Sequence, residues 1–360
     1  MSKKKTDPRA GNIFGLEPSD TDQFARVCSG DVEKTQTAML LFNSFRAPGT
    51  SANYANVIRD FREFCFEDEL LSYEAFGPKE VAQFLVQAYQ QKKGKAYISF
   101  IKPAISAIEA ARRVPDHLSV FQDKAITRMI GGAVRLAAEA APPTRKVDAL
   151  PMAALKNGLL THVWGKKVED IHFVTFRTLY RWMIGAIALA RFEGIHHIRS
   201  KHVQIVRASN GDRAVQIYLE KEKNDQLHQG QYRMLPEMPG EIIEPLTLTL
   251  KYFQRAGFTL GEGEDYICCR TQGKKADGRH QLTYTTALAN GKSLVKQLGF
   301  DIRYGENSSR RLGVSNARKN DVSMDIIEEV GGWKTRGMAE HYLANSVDTK
   351  IKQAKALKFK

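Results

Sequence analysis

Cysteine is scarce in this chain. There are four in 360 residues (Cys28, Cys65, Cys268 and Cys269) and no C-x-x-C pair. That excludes a disulfide framework and argues against a structural zinc site, and it fits a reducing compartment. Long apolar runs are missing too. The stretch Trp182 to Ala190 is bounded by Arg181 and Arg191 and falls far short of the about 20 residues that span a bilayer. The opening MSKKKTDPRAG carries charge with no apolar segment behind it, so it does not read as a secretory signal. No phosphate-cradling loop is present. Gly261-Glu-Gly263-Glu-Asp265 has no following Lys-Ser or Lys-Thr, and its acidic residues would repel a phosphate. His196-His197 lacks the i, i+4 spacing of a zinc-binding helix. Internal repeats and low-complexity tracts are absent.

Negative charge is in deficit: 40 Asp and Glu face 54 Lys and Arg, a formal charge of +14. A surplus of this size points to a polyanionic partner, and the lack of a membrane segment leaves nucleic acid as the better reading. At 360 residues the chain is long enough for two cores rather than one.

Residues 1–22 are polar, with Lys3 to Lys5, Pro8 and Gly11, and read as a flexible basic arm. Helical patterning starts near Asp31, where Met39, Leu40, Phe42 and Phe45 share one side before Pro48-Gly49. A stronger helix follows from Thr50-Ser51, with apolar Tyr54, Val57, Ile58, Phe61, Phe64 and Cys65 at intervals of three and four. Pro78 is placed to open the next helix, with a buried stripe of Val81, Phe84, Leu85 and Ala88. Ile98, Ile101, Ile105 and Ile108 form a third stripe, interrupted by Pro103. A fourth, Ala-rich helix runs from about Asp116 to Glu139. The segment APPTRKVD, residues 141–148, breaks the pattern and reads as a linker.

Beyond it, helices are expected over Met152 to Trp164 and Asp170 to about Ala190. Val203 to Val206 and Val215 to Leu219 then alternate around Asn210-Gly211, a strong hairpin signal, and Tyr232 to Leu235 offers a third strand. From Pro245 the chain reads as helices again, and it closes on the lysine-rich KIKQAKALKFK.

The stretch from Asn307 to Tyr342, NSSRRLGVSNARKNDVSMDIIEEVGGWKTRGMAEHY, resembles the closing motifs of the tyrosine recombinase (phage integrase) family. Those run as H-x-x-R opening a helix, a Gly-containing turn followed by His or Trp, and a nucleophilic Tyr nine residues later. Arg310 stands at the motif arginine, Gly332-Trp333 at the turn, and Tyr342 lies nine residues beyond Trp333. Upstream, Ala190-RFEGIHHIRSKHV-Gln204 is similar to the family's first arginine box, with Arg191 at the arginine. LEKEKNDQLHQG, residues 219–230, looks like its lysine loop. Lys223 aligns best there, while strand alternation puts Lys221 on the same face and keeps it as a substitute that the spacing does not exclude. Two positions depart from the family pattern. Asn307 replaces the usual His, and Gly194 stands where an acidic residue is common.

The resemblance covers most of the chain. It implies a helical core-binding, DNA-binding domain over 23–142 and a mixed α+β catalytic domain over 143–349, mainly helical with a small antiparallel sheet. A tail follows at 350–360. It further implies a site-specific recombinase that cuts and rejoins DNA through a 3′-phosphotyrosine on Tyr342. The alternatives are a type IB topoisomerase-like enzyme, or a non-catalytic DNA-binding protein on the same fold.

The residue types suit that chemistry. Planar guanidiniums, Arg191 and Arg310, pair with the non-bridging oxygens of a phosphodiester as lysine cannot. A phenol, with a pKa of about 10, needs such cationic neighbours to become a nucleophile. Lys223 or Lys221 would protonate the leaving 5′ oxygen. Trp333 and Asn307 would donate hydrogen bonds to the phosphate. No cofactor or metal is implied, nor any small-molecule substrate. The expected partners are duplex DNA and copies of the chain itself, as a tetramer on paired sites. The expected location is the cytoplasm or nucleoid of a prokaryotic host, or the nucleus of a eukaryotic one, without secretion.

Overall fold

The computed structural model describes residues 48–67, 78–92, 95–111, 123–140, 147–220, 230–333, 336–340 and 342. The chain divides into two compact units, Met1–Thr144 and Arg145–Lys360. Among the described residues no helix is long and apolar enough to cross a membrane.

The first unit is helical. Its described helices are α1 (Pro48–Glu67), α2 (Pro78–Gln91), α3 (Lys95–Ala111) and α4 (Lys124–Ala140). The stripe read on α2 is the buried one, Val81, Phe84, Leu85 and Ala88. It packs on Val57, Ile58, Phe61, Phe64 and Cys65 of α1, with Phe61 and Phe84 edge to face at 5.0 Å. Two readings shift. The helix expected from Thr50-Ser51 begins two residues earlier, at Pro48, since proline's fixed φ is suited to a first helical turn. On α3, Tyr97, Ile101, Ala104, Ala107 and Ile108 are buried, while Ile98 and Ile105 only flank the core. The apolar face is therefore rotated toward its small residues, and Pro103 stays inside the helix. The Ala-rich segment is described as helix from Lys124; residues 112–122 and the pattern before Pro48 lie outside the described residues.

The second unit is built around one buried helix. Its elements are α5 (Met152–His162), α6 (Phe173–Ile187), α7 (Phe192–His196), β1 (Val203–Arg207), β2 (Arg213–Leu219), β3 (Gln231–Pro236), α8 (Pro245–Ala256), β4 (Cys269–Gln272), β5 (Lys275–Gln281), α9 (Tyr284–Gln297), α10 (Ser308–Lys319), α11 (Met324–Gly331) and α12 (Arg336–Glu340). Helix α6 is buried from Phe176 through Gly185 on nearly every side and contacts α5, α8, α9 and α10. It is buried all round although it carries Arg177 and Arg181, whose guanidiniums donate to the Cys269 and Ala287 carbonyls.

The expected hairpin forms with its turn at Asn210-Gly211. Strands β1, β2 and β3 make an antiparallel sheet in that order, with Val203 opposite Ile217 and Val215 opposite Leu235. Alternation puts Val215, Ile217 and Leu219 on the face that packs into the core.

A second hairpin, β4 with β5, overturns the expectation of helices alone after Pro245. Its strands read CRTQ and KADGRHQ; apart from Cys269 and Gly278 they are not buried, so they show no apolar alternation to detect. Cys268 and Cys269 are both buried.

Candidate active site

The site region is assembled where α6 and the start of α10 pack side by side. Gly313 of α10 lies so close to Ala186 that a β-carbon there would fall inside the radius of the Ala186 carbonyl oxygen. One turn earlier, Gly185 leaves room for the Ser309 side chain next to the Arg310 backbone. Close helix approach at small residues thus sets where Arg310 stands. The lead into α10 is also pinned. Asp148 N–H donates to the Arg303 carbonyl at 3.0 Å and Arg303 N–H returns to the Asp148 carboxylate at 2.8 Å. Leu150 N–H donates to the Ser308 carbonyl at 2.8 Å, and the Ser308 hydroxyl donates to the Asp148 carbonyl at 2.8 Å.

Arg310 is fully buried. Its Nη2 donates to the Gly331 carbonyl at 2.8 Å, and its guanidinium lies 3.9 Å from the Trp333 ring centroid and 5.0 Å from that of Tyr342. Trp333 reaches this place through the Gly331-Gly332 turn. Gly332 has φ 64°, ends α11, and lets Trp333 N–H donate back to the Glu328 carbonyl, a left-handed helix stop that favours glycine. Trp333 is buried, and its indole N–H has no hydrogen-bond partner among the described residues. Tyr342 is half-buried, its ring 5.3 Å from that of Trp333. Tyr342 N–H donates to the Ala339 carbonyl at the end of α12.

Arg191 stands at the N-terminus of α7, after a break in the helical path. Leu189 takes φ 48°, a left-handed conformation uncommon for a residue with a bulky side chain. That turn ends the run from α6 early, at Ile187 rather than Ala190. Leu189 packs in one cluster with Val314, Trp333 and Tyr342, which brings the segment carrying Arg191 to the region of Arg310. The Arg191 Nη1 is buried without a hydrogen-bond partner among the described residues. Asn307 precedes α10, exposed, and its side chain caps nothing. Lys221 and Lys223 both lie outside the described residues.

One further neighbour of Tyr342 lies outside the motif positions. Arg311 is buried, its guanidinium 5.6 Å from the Tyr342 ring. The Arg310-Arg311 doublet was the available signal; side-chain direction on α10 was not. Burial pushes the Cys268 thiol up to about 11 and that of Cys269 to about 12, so both stay protonated. Burial, with His197 and Arg181 nearby, lowers His196 to about 4. Among the described residues no three His, Cys, Asp or Glu side chains converge to hold a metal ion.

No protein-family model matches the chain, and no curated protein matches it in sequence. In three dimensions it has the fold of the tyrosine recombinases, helical with small antiparallel sheets. In particular it is similar to the XerH site-specific recombinase in a post-cleavage complex with a palindromic difH substrate. That match has a TM-score of 0.54 and 13% identity, over 99% of this chain and 90% of that one. The pre-cleavage XerH complex on difH gives 0.50 and 13%, over 99% and 91%. The Tn1549 transposon integrase bound to transposon right-end DNA gives 0.52 and 11%, over 96% and 99%. At these identities the likeness is one of fold.

Proposed function

We propose that the protein is a site-specific DNA recombinase that cleaves and rejoins strands through Tyr342. Its closest support is the packing of the Tyr342 and Trp333 rings on the guanidinium of Arg310. Tyr342 is remote in sequence from Arg310, and their contact places a phenol beside a guanidinium, the two groups that this reaction requires at one phosphate.

The chemistry follows from the groups present. Arg310 and Arg191 take the non-bridging oxygens of the scissile phosphate, where charge builds up on attack. The Tyr342 oxygen attacks phosphorus, and its proton leaves for solvent or a neighbouring base. The bond to the 5′ oxygen breaks, and Lys223 or Lys221 supplies that oxygen's proton. A phosphodiester is exchanged for a phosphotyrosine ester of similar energy, so no nucleotide hydrolysis is required. The 5′ hydroxyl of a partner strand then attacks and frees Tyr342. The indole N–H of Trp333 and the amide of Asn307 are further donors to the phosphate. In the Arg310 network, Arg311 adds a second positive charge beside the phenol ring.

Exchange between two duplexes requires two cut sites in each, hence an assembly of four copies on paired DNA. The likeness to recombinases seen on DNA and the charge of +14 both support duplex DNA as the partner.

A library of nicked duplexes with a randomised central segment tests the proposal. Wild type should retain a defined subset of duplexes after denaturation, and Tyr342→Phe none. Equal retention by the two proteins, or none by either, would defeat it. Adducts spread over all sequences, with relaxation of supercoiled plasmid, would mark a topoisomerase instead.

A further inference from the structure

Arg181 lies on α6, away from every motif position, yet its guanidinium meets the side chain that follows Arg191 and one four residues before Arg310. Its side chain is 3% exposed and pairs with Glu306, 4% exposed, at 3.3 Å. It also donates to the Ala287 carbonyl of α9 at 3.2 Å. Its guanidinium stands 5.2 Å from the Phe192 ring centroid. Phe192 follows Arg191 directly, and Glu306 is one helical turn before Arg310. The contact continues along α6. Arg181 meets Glu306, Gly185 meets Ser309 and the Arg310 backbone, and Ala186 and Leu189 meet Gly313. Rows spaced by three and four on each segment therefore run against each other.

Stability alone gives no reason for a charge pair here. Removing two ions from water costs several kcal/mol each, and well-packed apolar residues of similar volume often do as well or better. Glu306 shows the strain, since burial raises its carboxyl above the usual range despite Arg181 and a hydrogen bond from Tyr304. Tyr304 is itself held by the Trp182 indole N–H at 2.7 Å. What a planar, forked cation supplies and an apolar side chain does not is direction. It can hold a carboxylate and a carbonyl at its edge while an aromatic ring lies near it.

We infer that Arg181 is a positioning residue that sets Arg191 and Arg310 relative to each other, through Phe192 on one side and Glu306 on the other. The inference rests on the reading of those two arginines as the phosphate-binding pair.

The test uses the full chain and a duplex recovered from the randomised library. Two variants are compared with wild type: Arg181→Lys, and the double replacement Arg181→Met with Glu306→Leu, which removes the pair without leaving a lone buried charge. Three quantities are read: the melting midpoint, the Kd for the duplex, and the single-turnover rate of adduct formation at saturating DNA. The double variant should melt no lower than wild type and bind the duplex comparably, while adduct formation slows about 100-fold, the scale of an ångström-level misplacement. Arg181→Lys should show the same split between binding and rate. A double variant that folds and forms adduct at the wild-type rate would overturn the inference. So would loss of folding in both variants, which would assign the pair to stability. If wild type itself forms no adduct, the function proposed above fails and this inference falls with it, an outcome distinct from variants that match an active wild type.

Discussion

Contacts of different kinds meet at Arg310, among them a hydrogen bond to the Gly331 carbonyl, the Trp333 face and the Tyr342 ring. A guanidinium held over an indole gains about 0.5–2 kcal/mol depending on how dry the site is, and the ring also fixes the plane in which its N–H groups point. Gly331 makes this arrangement possible, because a β-carbon on it would overlap the Trp333 ring. Gly331→Ala should therefore displace the indole while leaving the rest of the fold in place. Adduct formation should drop about 10²-fold with a melting midpoint only slightly lowered. Full activity in that variant would show that Trp333 does not need its present seat.

His196 makes a second residue-scale prediction, on pH. Burial first, then His197 and Arg181, lower its folded pKa to about 4, against an ordinary value of about 6.5. The unfolded chain therefore binds the proton more readily, so the stability this histidine contributes is present above about pH 6.5 and is lost as pH falls toward 4. The effect is on the order of 2 kcal/mol after allowance for the ring's partial exposure. Melting curves of wild type and His196→Gln between pH 7 and 4.5 should converge as pH falls. Parallel curves would show that the imidazole is not held neutral.

At the scale of elements, the packing of α6 against α10 depends on two glycines that no helical pattern singles out. Gly313→Ala would drive a methyl group into the Ala186 carbonyl, and overpacking of this kind costs roughly 1–3 kcal/mol. Calorimetry should show earlier unfolding, and adduct formation should fall with it, since Arg310 sits one turn away. An unchanged midpoint would mean that the helices part without cost.

The elements most legible beforehand were those whose burial follows a period. Helix α2 opens at Pro78 and buries the four residues its spacing singled out, and β1 and β2 pair about Asn210-Gly211. The hairpin of β4 and β5 was not legible, because its strands are short, polar and largely exposed, so nothing in the spacing of apolar residues marks them. Leu189 was equally hidden. A left-handed turn at a leucine contradicts local preference, and only the packing of its side chain beside Val314, Trp333 and Tyr342 offsets that cost.

At the scale of the whole molecule, the two compact units have separate cores. Described core residues of the first run from Val57 to Ala137 and those of the main core of the second from Leu150 to Leu312. A chain beginning at residue 145 should therefore fold by itself, with one cooperative thermal transition and dispersed amide resonances. A molten or insoluble fragment would show that the second core depends on the first unit.

The sequence by itself determined the order of the parts: a basic chain, helices before a short sheet, and Arg191, Arg310, Trp333 and Tyr342 in an order that resembles the motifs of one family. Local rules suffice for this, because helix period, strand alternation, turn residues and motif intervals are all written along the chain. Only the tertiary structure decided that Arg310 is wholly buried against two aromatic rings that touch each other, that Arg311 joins it, and that Arg181 meets both Phe192 and Glu306. Those facts depend on which faces of α6 and α10 meet. That choice is made by steric fit at Gly185 and Gly313 between segments more than a hundred residues apart, where no local pattern can report it.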